Sequence, residues 1–285
     1  MPPIKPFKLA EIGLLPLWLG MFTLLPLVLV LGASLLRRDE AGLIDPVPTG
    51  ENYARLLDPI YLKIFGHSLS LALLATGLCL LAGYPFAYFL SQVRPGWRPL
   101  LLTLVVVPFW TNSLVRTYAI RGLLAAQGPL NKALLSLGLI DEPIRLLYAT
   151  PAVVIGLAYV LLPFMILPLY SSFEKLDRRL VEAAADLGAG RAATFWHVIV
   201  PLTAPGIAAG SLLVFLPALG MFYVADVLGG ARDLLLGNFL KDQFLDARDW
   251  PFGAAASVAV IALLFLFLAI HGLSRRRLGG GGADG

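Results

Sequence analysis

Six long apolar stretches constrain this chain more than any other feature of its sequence. A helix needs about 20 predominantly apolar residues to cross the hydrocarbon core of a bilayer. Such stretches lie near residues 14–36, 68–91, 100–119, 151–173, 205–228 and 253–273. The chain is 58% hydrophobic and only 14% charged, whereas soluble domains carry about 25% charged residues. We therefore predict an all-α membrane protein with six transmembrane helices.

The first stretch and the basic clusters predict the organisation of the chain and its orientation. The first stretch is longer than the apolar region of about 7–15 residues in a signal peptide, so we expect it to be retained. Arg94 with Arg98, and the arginines at 275–277, fall on the same side as the N-terminus, which the positive-inside rule makes cytoplasmic. We predict a cytoplasmic segment at 1–13, a membrane domain at 14–273 and a flexible cytoplasmic tail at 274–285.

Several classes of function lack their sequence motifs. No lysine follows a glycine, so the GxxxxGK[ST] loop that cradles nucleotide phosphates does not occur. His67, His197 and His271 are scattered without the spacing of a metal site, and no GxSxG nucleophile motif is found. Basic and aromatic residues are not interleaved as in nucleic-acid-binding surfaces. The single Cys79 cannot form a disulfide within the chain. We predict a chain that is not an enzyme and binds neither a cofactor nor nucleic acid.

Prolines recur within the predicted spans. They are Pro16, Pro26, Pro85, Pro108, Pro163, Pro168 and Pro217. Each removes a backbone donor and bends or interrupts its helix, and in lipid the freed carbonyl must be satisfied by a neighbouring group or by a cavity. Individual prolines are compatible with simple packing kinks. Together they favour a bundle of bent helices around a changeable cavity.

The connection at 174–201, between the fourth and fifth stretches, has the pattern of two short helices. Apolar side chains recur at the spacing of one helix face. They are Leu176, Leu180, Ala183, Ala184 and Leu187. Gly188 can adopt the left-handed conformation that ends a helix, and a second amphipathic piece runs to Pro201, which we expect to stop it. The pattern predicts a helix-turn-helix under the membrane, although an interfacial helix that merely joins two spans fits it equally well.

A motif inside this connection resembles a known family. The triplet EAA at 182–184 is followed after three residues by Gly188, and after nine more by VIVP at 198–201. This arrangement resembles the EAA loop of ABC importer permeases, in which the last block reads Ile-x-Leu-Pro. Val198 and Val200 depart from that block by conservative changes only.

The resemblance implies the type I ABC importer permease fold, with this loop seated in a groove of a separate ATPase. It assigns ATPase coupling to Glu182, Ala183, Ala184, Asp186, Gly188 and Pro201. It also implies a bacterial cytoplasmic membrane, two copies of an ATPase subunit that binds ATP and Mg, a second permease subunit, and a periplasmic or surface-anchored substrate-binding protein.

Other blocks of the chain are similar to the spermidine/putrescine branch of these permeases. They are NYARLLDPIY (52–61), GYPFAYFLSQVRP (83–95), VPFWTNSLVRTYAI (107–120), LPFMILPLY (162–170), ADVLGG (225–230) and DWPFGAA (249–255). Ala225 stands where this branch commonly has proline. The resemblance implies polyamine import, with ferric iron, thiamine or sulfate as alternative substrates. A different alternative is an ion-coupled carrier, which would need buried acids or histidines that the central spans lack. A polytopic membrane enzyme is a third.

Candidate residues of the substrate pathway lie in the second, third and fifth stretches. Asp226, near the outer end of the fifth, either attracts a cation or is a hydrated interfacial carboxylate. Arg116 lies towards the outer end of the third. Aromatic rings can hold a polycation by cation–π contacts, or form an interfacial belt or the core. They cluster at Tyr84, Tyr88, Phe109, Trp110, Tyr118 and Tyr223. We expect Thr111 and Asn112 to be buried beside Trp110.

Overall fold

A computed structural model describes residues 16–39, 44–230 and 234–279, with the backbone alone at 270, 271 and 273–279. The predicted N-terminal segment 1–13 with Lys5 and Lys8, residues 280–285 of the predicted tail, and the side chains of the arginines at 275–277 lie outside this description. The chain divides into two compact units. One comprises Met1–Leu62 with Leu240–Ile270, and the other Lys63–Phe239 with His271–Gly285.

Helices dominate the described residues. The long helices are α1 (Pro16–Ser34), α3 (Pro59–Gln92), α7 (Thr150–Glu174), α9 (Arg191–Gly220) and α12 (Trp250–Gly279). The shorter helices are α2 (Glu51–Leu56), α4 (Arg98–Trp110), α5 (Ser113–Leu124), α6 (Pro129–Ser136), α8 (Arg178–Asp186), α10 (Phe222–Leu228) and α11 (Leu236–Leu245). Within the described residues, 5 helices are long and apolar enough to cross a membrane, or 6 if the bent pair Arg98–Trp110 and Ser113–Ser136 counts as one span. The all-α membrane fold is confirmed.

The third predicted span is not one continuous helix. The chain bends by 94° between Arg98–Trp110 and Ser113–Ser136. Pro108 lies in the 3₁₀ turn that ends α4, and Thr111 then has an extended backbone (φ −87°, ψ 144°). Oδ1 of Asn112 accepts the backbone N–H of Leu114 at 2.8 Å and so caps the start of α5. The predicted span at 100–119 is therefore interrupted beside Pro108, as expected for a proline within a span, and the cap at Asn112 starts a new helix.

The helix at the fifth predicted span, 205–228, differs from the prediction at both ends. α9 begins at Arg191 and ends at Gly220, and Met221 (φ −77°, ψ 62°) separates it from α10. Pro201 does not stop a helix, contrary to our expectation, because α9 runs through it. A π-helical turn at Phe195–Ile199 immediately precedes this proline. The wider π turn makes room for the pyrrolidine ring of Pro201, which would otherwise collide with the backbone carbonyl four residues before it. The second span likewise begins earlier than predicted, at Pro59.

The core of the second unit is the contact between α7 and α9. Gly206 and Gly210 stand four residues apart on α9 and face α7 directly. A Cβ on Gly206 would lie 2.8 Å from the carbonyl oxygen of Pro168, and one on Gly210 would lie 2.7 Å from Sδ of Met165. Small residues at this spacing let two membrane helices approach closely. This contact fixes α9 against the buried face of α7.

The first unit contains a small hairpin that the sequence did not suggest. Strands β1 (Leu36–Arg38) and β2 (Ile44–Pro48) pair antiparallel, with Arg37 opposite Asp45. Nδ2 of Asn52, a residue that is 4% exposed, donates to the carbonyl oxygens of Ser34 at 3.0 Å and Leu36 at 2.9 Å. The buried amide therefore fastens α2 to the junction between α1 and β1.

An ion pair in the same unit joins α2 to the start of α12. The Asp249 carboxylate is buried and pairs with Arg55 at 3.0 Å. The guanidinium of Arg55 also stacks on the ring of Phe252, 4.0 Å from the ring centroid. Burial lowers the pKa of Arg55, but the hydrogen bond and charge of Asp249 outweigh it, so the pKa of Arg55 is raised overall. The pair therefore ties together residues that are far apart in the sequence.

Candidate functional site

The predicted coupling helix is α8, and its two ends are determined by the sequence. At the start, Oδ1 of Asp177 accepts the backbone N–H of Arg179 at 3.0 Å. At the end, the N–H of Gly188 donates to the carbonyl of Ala185 at 2.9 Å, and the N–H of Ala189 donates to that of Ala184 at 3.0 Å. Gly188 has φ +83°. This is the hydrogen-bonding pattern of a Schellman motif, which needs a left-handed residue at this position, and it explains the glycine in the motif.

The apolar residues of α8 divide between two surroundings. Val181 and Ala184 are half-buried against the rest of this chain. Leu180 is 48% exposed and Leu187 is 89% exposed. Glu182, Ala183 and Asp186 are also exposed. Our one-face interpretation of the pattern was incomplete, since only part of the apolar surface packs on this chain. The remainder is an apolar strip with two acidic neighbours.

Arg178 at the start of α8 and Arg98 at the start of α4 both bond to the end of α3. Nη2 of Arg178, at the start of α8, donates to the carbonyl oxygen of Ser91 at 3.2 Å, and Nη2 of Arg98 donates to the same oxygen at 2.8 Å. Nε of Arg98 donates to the carbonyl oxygen of Val93 at 2.9 Å. Cations at the C-terminal end of a helix interact favourably with its dipole. The hydrogen bond from Arg178 therefore links the start of α8 to the end of α3.

Tyr84 and Tyr88 also lie at this end of the molecule. The hydroxyl of Tyr84 is hydrogen-bonded to Oγ1 of Thr203 at 2.9 Å, and its ring meets the ring of Phe173 edge-on, with centroids 5.1 Å apart. The ring of Tyr88 is 5.5 Å from that of Phe173. Both tyrosines thus join α3 to α7, and Tyr84 also reaches α9, close to the coupling helix.

The predicted aromatic cluster is not a single group. Phe109 contacts Phe164, with ring centroids 5.0 Å apart, and Tyr223 contacts Phe222 at 6.1 Å. Tyr84 and Tyr88 instead contact the ring of Phe173. Tyr118 is 52% exposed. The expectation that these rings would cluster is wrong, because the bend after α4 and the break at Met221 direct them to different neighbours.

Thr111 and Asn112 are exposed rather than buried, which corrects the expectation from the sequence. Trp110 is 82% exposed. Oγ1 of Thr111 donates to the carbonyl of Pro108 at 2.6 Å, and the side chain of Asn112 is engaged in capping α5. These polar groups satisfy the backbone at the bend, so they lie on the surface of this chain.

Arg116 is the buried cation of the broken span. It is 8% exposed, and its guanidinium carbon lies 5.3 Å from the centroid of the Phe109 ring. Its buried Nε has no hydrogen-bond partner among the residues that the structure describes. The guanidinium of Arg116 therefore makes a cation–π contact with the Phe109 ring.

Asp226 is exposed on α10, and its carboxylate accepts a hydrogen bond from the side-chain amide of Asn238. Asp226 was identified from the sequence, whereas Asn238, a polar residue in an otherwise apolar run, was missed. Across the described ranges, no group of three or more His, Cys, Asp or Glu residues could hold a metal ion.

The family model described as "Binding-protein-dependent transport system inner membrane component" matches residues 76–280. The chain belongs to this family. It is 54% identical over 261 residues to the spermidine/putrescine transport system permease protein PotB of Escherichia coli (strain K12), covering 92% of this chain and 95% of that one. It is 51% identical to PotB of Haemophilus influenzae over 265 residues, with 93% of both chains covered. The predicted membership in the ABC importer permeases is confirmed.

A solved structure shows the same fold. A chain of a bacterial ABC transporter involved in the import of the acidic polysaccharide alginate superposes with a TM-score of 0.74 at 18% sequence identity. The match covers 97% of this chain and 98% of the other. The ABC importer permease fold that the EAA motif implied is therefore confirmed for the whole chain. The chain is a membrane permease, and ATP hydrolysis resides in a separate subunit.

Proposed function

We propose that this permease imports polyamines of the spermidine/putrescine class. The observation that carries the proposal is the 54% identity to PotB of E. coli over nearly the full length of both chains. Exposed Asp226 and the aromatic residues give the chain groups that suit a flexible cation, since carboxylates and aromatic rings both attract ammonium groups.

The driving force enters through α8. Two copies of an ATPase subunit bind ATP and Mg, and each closes around an EAA helix of a permease. Leu180, Ala183 and Leu187 supply the exposed apolar strip, while Glu182 and Asp186 flank it. Gly188 sets the angle at which the chain leaves α8, and Pro201 follows in α9. Arg178 relays the movement to the end of α3 through Ser91, so that the bent spans alternate between inward-facing and outward-facing forms.

Two further partners complete the transporter. A second permease subunit forms the other half of the pore, and a periplasmic or surface-anchored binding protein delivers the substrate. α1 fits this arrangement because 6% of its span is buried within this chain, which leaves its surface to lipid and to a neighbouring subunit. Both termini and α8 face the cytoplasm of the bacterial inner membrane.

The substrate pathway runs along the exposed residues of the second, third and fifth spans. Asp226 stands at its mouth, with Trp110, Asn112 and Tyr223 along it. Tyr84, Tyr88 and Phe109 belong to the walls that move, since each packs between two helices. Contacts of about 0.5–2 kcal/mol per ring suit a conduit, which must release what it admits.

Uptake by the complete transporter tests the proposal. Cells that lack this chain, and the same cells complemented with it, are given labelled spermidine, putrescine, thiamine or ferric iron. We expect complementation to restore uptake of spermidine and putrescine and to leave the other two unchanged. Restored uptake of thiamine or iron, with polyamine uptake unaffected by the deletion, would assign the permease to the alternative substrates instead.

A further inference from the structure

Asn238 is a buried side chain in which every hydrogen-bonding group is used. It is 1% exposed and lies in the first turn of α11. Nδ2 donates to the carbonyl oxygen of Phe222 at 3.1 Å and to the carboxylate of Asp226. Oδ1 accepts the backbone N–H of Leu235 at 3.1 Å. A carboxamide has two N–H donors and one carbonyl oxygen, so the side chain has a single orientation.

The backbone around Asn238 is packed too closely to shift. A Cβ on the preceding residue, Gly237, would lie 2.5 Å from the carbonyl oxygen of Gly220 at the end of α9. The first turn of α11 therefore presses on the break between α9 and α10. Main-chain hydrogen bonds on both sides hold the side-chain amide of Asn238 at this break. The amide in turn restricts the orientation of the Asp226 carboxylate that it binds.

On α10, the side chain of Asn238 binds the exposed carboxylate of Asp226. Val224, Ala225 and Leu228 bury one side of α10, and Asp226 lies on the exposed side. Because the carboxylate of Asp226 is exposed, an ammonium group of a substrate can reach it from the solvent side. A side chain fixed before its ligand arrives loses less conformational entropy on binding.

We propose that Asn238 is a positioning residue for import, which holds the Asp226 carboxylate in the orientation that receives an ammonium group of the substrate. The inference rests on the proposed function, since it assigns Asp226 a cationic amine as ligand. Asn238 itself does not touch the substrate. It acts on transport only through Asp226.

Asn131 provides a matched control within the same unit. It too is 1% exposed, donates from Nδ2 to two carbonyl oxygens, of Ala125 at 3.1 Å and Ile144 at 3.0 Å, and accepts the N–H of Ile144 at 2.9 Å. The two asparagines share burial and bonding pattern. They differ in that Asn238 binds a carboxylate and Asn131 binds the main chain alone.

The test measures polyamine imported per ATP hydrolysed by the assembled transporter with its binding protein, at equal amounts of transporter in the membrane. We expect Asp226→Asn and Asn238→Ala each to lower this ratio about tenfold while ATP hydrolysis stimulated by the binding protein stays within about twofold of the unmodified transporter. The double variant should be no worse than Asp226→Asn alone, because both changes remove the same positioned carboxylate.

A purely structural role predicts different results. Asn238→Ala would then lower uptake and ATP hydrolysis in parallel, as we expect for Asn131→Ala, or would multiply the defect of Asp226→Asn. Either outcome overturns the inference, as does an unchanged ratio in Asn238→Ala. If Asn238→Ala fails to assemble, Asn238→Ser, which keeps a smaller donor and acceptor, carries the same comparison. The proposed function fails separately, when the unmodified transporter moves no polyamine.

Discussion

Gly188 is the residue of the coupling loop whose backbone geometry is most demanding. Its φ of +83° lies in the left-handed region, which costs residues other than glycine about 1–2 kcal/mol and costs β-branched residues more. No atom lies within 4 Å of an added Cβ, so any effect of substitution comes from the backbone. We expect Gly188→Val to disrupt the end of α8 and to reduce ATP-driven uptake at least tenfold, measured against transporter content.

Two substitutions control for the side chain itself. Gly188→Asn should keep most of the uptake, because asparagine tolerates the left-handed region better than other residues. Gly190 has φ −68° and open space around its Cα, so Gly190→Ser should be neutral. Equal uptake by Gly188→Val and Gly188→Asn would show that the conformation of this turn does not matter for coupling.

Single residues differ in how well the sequence identified them. Gly188 was predictable, because a glycine that follows an amphipathic helical run commonly ends the helix in the left-handed conformation. α8 ends at Gly188 in this way. Asp226 was predictable as a rare carboxylate near a span. Asn238 was not, since its role depends on a hydrogen bond to a carboxylate on another helix. Thr111 and Asn112 were misjudged as buried, because an apolar neighbourhood in the sequence does not say whether a side chain faces this chain or its surroundings.

At the scale of helices, the contact between α7 and α9 depends on two glycines. A Cβ on Gly206 would collide with Oγ of Ser172 as well as lie close to the main chain of α7, so a larger residue must force the helices apart. Overpacking of this kind costs about 1–3 kcal/mol. We expect Gly206→Leu to lower the thermal stability of the purified transporter and to abolish uptake, with Gly206→Ala intermediate.

Gly77 on α3 is the control for this prediction. It is helical like Gly206, but a Cβ added to it would have no atom within 4 Å, and alanine favours a helix more than glycine by about 1 kcal/mol. Gly77→Ala should therefore leave thermal stability at or above the unmodified level and uptake unchanged. Stability losses of similar size in Gly77→Ala and Gly206→Ala would argue against close helix contact as the cause.

The helices themselves were largely predictable, and their ends were not. Hydropathy located each long helix, because the bilayer demands about 20 apolar residues whatever the tertiary structure. Breaks depend on local detail. Asn112 starts a new helix because its side chain caps the backbone, whereas Pro201 stays within a helix because a π turn precedes it. The hairpin β1–β2 escaped notice because its strands are short and have no alternating pattern.

At the scale of the whole molecule, the exposed apolar surface of this chain fits the proposal that the chain is one subunit of a larger transporter. The apolar strip of α8 and Trp110 are both exposed on this chain. The EAA motif predicted the first of these surfaces. Under the proposed function a second permease subunit forms part of the pore, so a pattern within this sequence alone does not give the full lining of the pathway.

The side of the membrane on which α8 lies is the most direct test of ATP-driven coupling. Leu187 is 89% exposed beside Gly188, and Leu57, 71% exposed, lies in the connection predicted on the opposite side. Each is replaced by cysteine in a Cys79→Ala background, and a membrane-impermeant maleimide is applied to intact spheroplasts and to inside-out vesicles. We predict labelling of Leu187→Cys in inside-out vesicles only and of Leu57→Cys in spheroplasts only. Labelling of Leu187→Cys from the outer side would contradict the account, because no cytoplasmic ATPase could then reach the helix.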